Sequence, residues 1–143
     1  MTLRKLNRND IQKLEEYWIN HKENEKRLKF REWELTSKES DDENTGAGSN
    51  SVRNTSSETE NLAIKIMSDK LYQNLLTITK AVNEIYKSCD EDMSLIVEMR
   101  YWDEDRNCYE WEEIADQLNM SRAKVLRLRN EILKETAELI GWV

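Results

Sequence analysis

From Asn61 to Lys87, apolar side chains recur at Ile64, Met67, Leu71, Leu75, Ile78, Val82 and Ile85. Steps of three and four place them along one stripe, so the spacing predicts one amphipathic helix over this stretch. The stripe is expected to face a domain core. The alternative, a coiled-coil seam, calls for three or four sustained heptads and would make the chain a homo-oligomer through the 61–87 helix. Upstream, between Asp10 and Leu35, apolar residues fall at Ile11, Leu14, Trp18, Leu28, Phe30, Trp33 and Leu35, around the wholly polar NHKENEKR. This reads as one long helix or two short ones, anchored by aromatics at each end. Between the two periodic stretches lies SKESDDENTGAGSNSVRNTSSETEN, with almost no large apolar side chain. Such a composition cannot bury surface, and a flexible polar linker is expected.

Three segments result: an N-terminal charged helical segment at 1–36, the linker at 37–60, and a helical domain at 61–143. With 143 residues and 38 % hydrophobic content, the chain suits one globular domain with an appendage. It has three Gly and no Pro, so nothing breaks the long periodic segments, and Leu, Glu, Lys, Arg and Met are abundant helix formers. An all-α protein is expected.

After the amphipathic stretch, Ser88-Cys89-Asp90 offers a helix cap, with Glu91 and Asp92 favourably placed in the first turn that follows. The new helix carries Met93, Ile96, Val97, Arg100 and Tyr101, and the polar DEDRNCYE ends it. Trp111 to Asn130 then fits a helix-turn-helix, two helices joined by a turn of three or four residues. Ile114, Ala115, Leu118, Met120, Val125 and Leu128 fill its inward positions. Ala115 is small where two backbones must approach, Asn119 tolerates the left-handed backbone the turn requires, and Ser121 can cap the second helix.

Charge gives this unit its chemistry. The formal net charge is −7, yet IADQLNMSRAKVLRLR, residues 114–129, holds four basic residues and one acidic one. Facing outward are Arg122, Ala123, Lys124, Arg127, Arg129 and Asn130. Arg can bond guanine bidentately, Asn can do the same for adenine, and Ala123 admits close approach or a thymine methyl. Lys124, Arg129 and Lys134 can neutralise phosphates, and the helix N-terminus at Ser121 adds amide donors. Acidic residues gather instead on the preceding helix, at Glu110, Glu112, Glu113 and Asp116, whereas the second helix has only Glu131 among its first eleven positions. That segregation favours double-stranded DNA as a partner over a merely solvated face.

Other chemistry finds little support. Cys89 and Cys108 lack a CxxC partner or nearby His and are expected as reduced thiols, without zinc or a disulfide. The GAG of the linker has no preceding strand and no GxxxxGK[ST], and Asp103 with Asp105 lacks the rest of a calcium loop. The single His21 has no evident partner, is expected at the surface of the first helix, and leaves no ground for an enzyme, a metal or a cofactor. No secretory leader or apolar run of about 18 residues is evident, so a cytoplasmic protein is expected, without membrane contact.

The residues RYW, a short polar turn and EWEEIADQLNMSRAKVLRLRNEIL resemble region 4 of bacterial sigma factors. Across nearly the whole chain, the order of charged helix, linker, amphipathic helix, sigma-like motif and closing ELIGW is similar to the RinA-type and ArpU-type phage transcription activators. The resemblance implies a DNA-binding activator of phage late genes, those for packaging and morphogenesis, acting with host RNA polymerase. It carries the recognition-helix role to Ser121, Arg122, Ala123, Lys124 and Arg127. No counterpart of the sigma region that melts the promoter is present, which points to an activator or sigma-like accessory. Two alternatives are a phage small terminase subunit, whose DNA-binding unit is N-terminal, and an adaptor that holds polymerase without reading DNA.

Overall fold

The structure, a computed structural model, describes residues 5–45, 55–103 and 108–143; within these, the side chains of 38–45 and 55–57 are not described. All regular structure among the described residues is helical, as the composition implies. The helices are α1 (Arg8–Ile19), α2 (His21–Thr45), α3 (Thr55–Ser68), α4 (Lys70–Ser88), α5 (Glu91–Arg100), α6 (Trp111–Leu118) and α7 (Arg122–Leu139). Of the linker expected at 37–60, residues 46–54 lie outside the described residues, and α2 and α3 occupy its two ends. Asp105 of the Asp103–Asp105 pair also lies outside them.

Side chains that bond the local backbone decide where several helices begin. Asn7 accepts the Asp10 amide and Asp10 accepts the Asn7 amide, both at 2.9 Å, a reciprocal cap that opens α1. Asp90 accepts the Met93 amide at 2.8 Å and opens α5. The single helix expected over 61–87 is instead broken at Asp69. There the Asp69 carboxylate accepts the Tyr72 amide at 2.8 Å, caps α4, and thereby competes with a continuous helix.

Two compact units emerge: the residues up to Lys22 together with Ile78–Val143, and Glu23–Thr77. The first therefore takes in α1, which the sequence had placed in a separate N-terminal segment. Its larger core gathers Leu14 and Trp18 of α1, Val82 and Ile85 of α4, Val97 and Tyr101, and Ile132, Leu133 and Ala137 of α7. A buried hydrogen bond locks α1 to α7, with the Trp18 indole N–H donating to Thr136 Oγ1 at 3.0 Å. The Trp102 indole N–H in turn donates to the Trp18 carbonyl at 2.7 Å. His21, expected at the surface, is buried here. Its Nε2 lies 2.8 Å from Asn83 Oδ1 and its ring stacks on Trp102, so a polar partner and an aromatic face replace its water.

The unit closes at Gly141. After α7, Gly141 has φ 86°, the Trp142 amide donates to the Ala137 carbonyl at 2.9 Å, and the Gly141 amide to Glu138 at 3.2 Å. This pair of bonds ends a helix by turning the backbone left-handed, and it brings Trp142 back to within 6.0 Å of Tyr17. The closing ELIGW is a helix terminator followed by a core aromatic.

The second unit holds far less buried apolar surface. Arg31 clasps both Asp69 carboxylate oxygens, at 3.0 and 2.7 Å, and Gln73 bonds the Ile66 carbonyl at 3.2 Å. Leu35 and Leu75 are buried, but Phe30, Trp33, Ile64, Met67 and Leu71 are exposed. The stripe read from the sequence is thus divided: Leu75, Val82 and Ile85 enter cores, whereas Ile64, Met67 and Leu71 face solvent.

Candidate nucleic-acid interface

The α6–α7 unit is built around a second cluster, in which Ile96 of α5, Ile114 and Ala115 of α6 and Val125 of α7 are buried. Leu118, Met120 and Leu128 pack against it, so every position read as inward-facing contributes to this cluster. Between the helices, Asn119 takes φ 55° and ψ 45°. The Met120 amide then reaches back to the Ala115 carbonyl at 2.9 Å and the Asn119 amide to Asp116 at 3.4 Å. Two otherwise orphaned carbonyls of α6 are satisfied, and Met120 is directed onto the cluster beside Ala115. Ser121 Oγ accepts the Lys124 amide at 3.1 Å and starts α7.

This frame leaves Ser121, Arg122, Ala123, Lys124, Arg127, Asn130 and Lys134 exposed. Among the described residues, no ion pair engages Arg122, Lys124, Arg127 or Lys134, so their charge is available to an anion. The free α7 amides and the helix dipole at Ser121 add to the same positive end. Exposed Glu112, Glu113 and Asp116 keep the acidic charge on α6.

Arg129 is different. Its side chain is only 16 % exposed, it pairs with Glu15 of α1 at 3.4 Å, and its guanidinium lies 5.2 Å from the centre of the Trp111 ring. Arg129 falls on the Val125–Ile132–Thr136 side of the helix, four residues after Val125, so the helical repeat directs it inward. Its charge is spent on the protein's own Glu15, and the phosphate contact expected of it is not what this geometry provides. The register of α7 carried that signal in the sequence.

Arg129 belongs to a polar network that holds the supporting helices to α7. The Tyr101 hydroxyl donates to Glu15 Oε2 at 2.6 Å, and burial together with the Glu15 carboxylate raises the Tyr101 pKa far above the ordinary phenol value. Tyr101 therefore stays a neutral donor. Arg100 donates to the Tyr109 carbonyl at 2.9 Å and lies 4.7 Å from the centre of the Trp111 ring. The Arg-Tyr-Trp run of the sequence thus anchors three partners: the loop before α6, α1 through Glu15, and Trp18 through the Trp102 indole. Neither Glu15 nor Trp111 could be recognised as a scaffold residue before folding joined them.

No group of three His, Cys, Asp or Glu side chains among the described residues is arranged to hold a metal, and both cysteines are free. No described helix is long and apolar enough to cross a membrane.

The profile of the family described as Protein of unknown function (DUF722) matches residues 9–138, and the chain belongs to that family. No curated protein matches the chain, and no solved structure does.

Proposed function

We propose that this chain is a sequence-specific DNA-binding transcriptional activator of phage late genes, sigma-like in its C-terminal unit and acting in the host cytoplasm with host RNA polymerase. The observation that carries the DNA reading is the unpaired cationic face of α7, with Arg122, Lys124 and Arg127 exposed while Val125, Ile132 and Leu133 are buried behind them. A helix held so rigidly, with its N-terminal turn free, can enter a major groove of about 12 Å width. Support for late genes and polymerase comes from the resemblance of nearly the whole chain to the RinA-type and ArpU-type activators and of 100–133 to sigma region 4, and the exposed acidic residues of α6 offer that second partner a surface that repels phosphate. The reading assigns no catalytic role and no cofactor.

A reporter under the cognate late promoter tests it. The intact chain is expected to activate transcription, and the Lys124→Glu, Arg127→Glu variant, folded by circular dichroism, is expected to lose activation and promoter binding together. Activation persisting in that variant would replace this reading with the adaptor. Binding confined to a packaging site, with no activation, would replace it with the terminase subunit.

A further inference from the structure

We infer that Lys5, in the segment leading into α1, completes a DNA-backbone contact surface with Asn130 and Lys134 of α7. The inference rests on the DNA-binding reading above and extends it to a residue some 125 positions away in sequence. Ala123, Arg127, Asn130 and Lys134 follow one another at intervals of four, three and four, which lays them along a single stripe of α7. Where that stripe leaves Arg127, it meets a groove of about 380 Å³ lined by Asn130 and Lys134 of α7 together with Lys5 and Ile11. Leu6, Leu133 and Val143 also line it. Lys5 and Lys134 are exposed, and no ion pair engages either among the described residues. Glu131 and Glu138, the other charged groups nearby on α7 with Glu135, do not line the groove.

The spacing suits a phosphate strand. Lys134 stands about 10 Å beyond Arg127 along the axis, at about 1.5 Å per residue. With the first turn of α7 at base edges in a groove about 12 Å wide, that displacement reaches its phosphate wall. Two ammonium groups and an amide donor around a groove that Leu6, Ile11, Leu133 and Val143 also line match a strand of repeating anions. Contacts of this kind hold the duplex in register without reading sequence.

Fluorescence anisotropy of the full chain with a random-sequence duplex, titrated from about 50 to 200 mM salt, tests the assignment. Each neutralised phosphate contributes about 0.9 to the log–log slope, so Lys5→Ala and Lys134→Ala should each flatten it by about that amount, and the double variant by about twice as much. Lys5→Arg should keep the wild-type slope. Lys87→Ala, an exposed lysine that does not line the groove, controls for net charge and should also keep it. A wild-type slope in Lys5→Ala, or an equal loss in Lys87→Ala, would overturn the role of Lys5 while leaving the α7 reading intact. Absence of DNA binding by the wild-type chain, or binding indifferent to Lys124→Glu and Arg127→Glu, would overturn both.

Discussion

Two arginines two residues apart on α7 sit in opposite environments. Arg127 is exposed and unpaired among the described residues, whereas Arg129 is held between Glu15 and the Trp111 ring. Removing Arg127 leaves no buried group without a partner, so Arg127→Ala should change folding stability by no more than about 0.5 kcal/mol. On the preferred site, it should weaken DNA binding by about 1–3 kcal/mol. Arg129→Ala strips a largely buried carboxylate of its cation and removes packing from Trp111, which should cost about 1–3 kcal/mol of stability. Urea unfolding and DNA titration of both variants separate the two roles. If Arg129→Ala were as stable as wild type and weakened DNA binding through the salt slope alone, Arg129 would be a phosphate contact after all. Composition could count these arginines, but only the phase of the helix tells them apart.

Turns and caps carry the next level. Asn119 sits in the left-handed region, where a side chain other than Gly, Asn or Asp costs about 1–2 kcal/mol. Asn119→Val should therefore destabilise the α6–α7 unit by roughly that amount, while Asn119→Gly should be close to neutral. Ser121→Ala removes the cap on Lys124 and should cost about 1 kcal/mol. Thermal melts of the three variants check the series, and equal melting temperatures for Val and Gly at 119 would contradict the turn geometry. These features were legible in the sequence because they depend on the backbone needs of one residue at a time.

The α3–α4 junction was not legible in the same way, since its break depends on Arg31 as well as Asp69. Hydrogen bonds from Arg31 and the Tyr72 amide hold the Asp69 carboxyl at about 2, down from 3.8. A group whose pKa is lowered on folding contributes stability above its unfolded value and loses it on protonation. The junction should accordingly weaken as pH falls from about 4 towards 2 and be insensitive to pH above that window. Asp69→Asn keeps a capping oxygen but not the ion pair, so amide exchange at Tyr72 and Gln73 should become flat across the window. Retention of the wild-type acid transition in that variant would assign it to another carboxylate.

Across the molecule as a whole, apolar surface is unevenly distributed. The Glu23–Thr77 unit leaves Phe30 and Trp33 about 60 % exposed, Ile64 63 % and Met67 73 %. We propose that a second copy covers the Ile64, Met67 and Leu71 face, the self-association given above as the alternative reading of the 61–87 stretch. Residues 23–34 of the same unit carry four acidic and four basic side chains, so a like copy meets no net repulsion there. Met67→Asp should shift sedimentation towards the monomer without loss of helix content, since Met67 supports no buried core. A wild-type chain that sediments as a monomer at micromolar concentration would dismiss the proposal.

The sequence by itself determined the helical class, the starts of α5, α6 and α7, the inward positions of the turn unit and the basic character of α7. Each of these follows from local periodicity, capping chemistry or charge order, which act over a few neighbouring residues. Tertiary structure alone decided that α1 belongs to the core of the C-terminal unit, through Trp18 and Thr136, and that His21 is buried against Asn83 and Trp102. It also decided that Arg129 answers Glu15 and that Lys5 and Lys134 line one groove. These are contacts between residues more than sixty positions apart, and no pattern along the chain encodes which distant side chain will share a low-dielectric site or a groove. Periodicity selects the face that must be covered; packing selects what covers it.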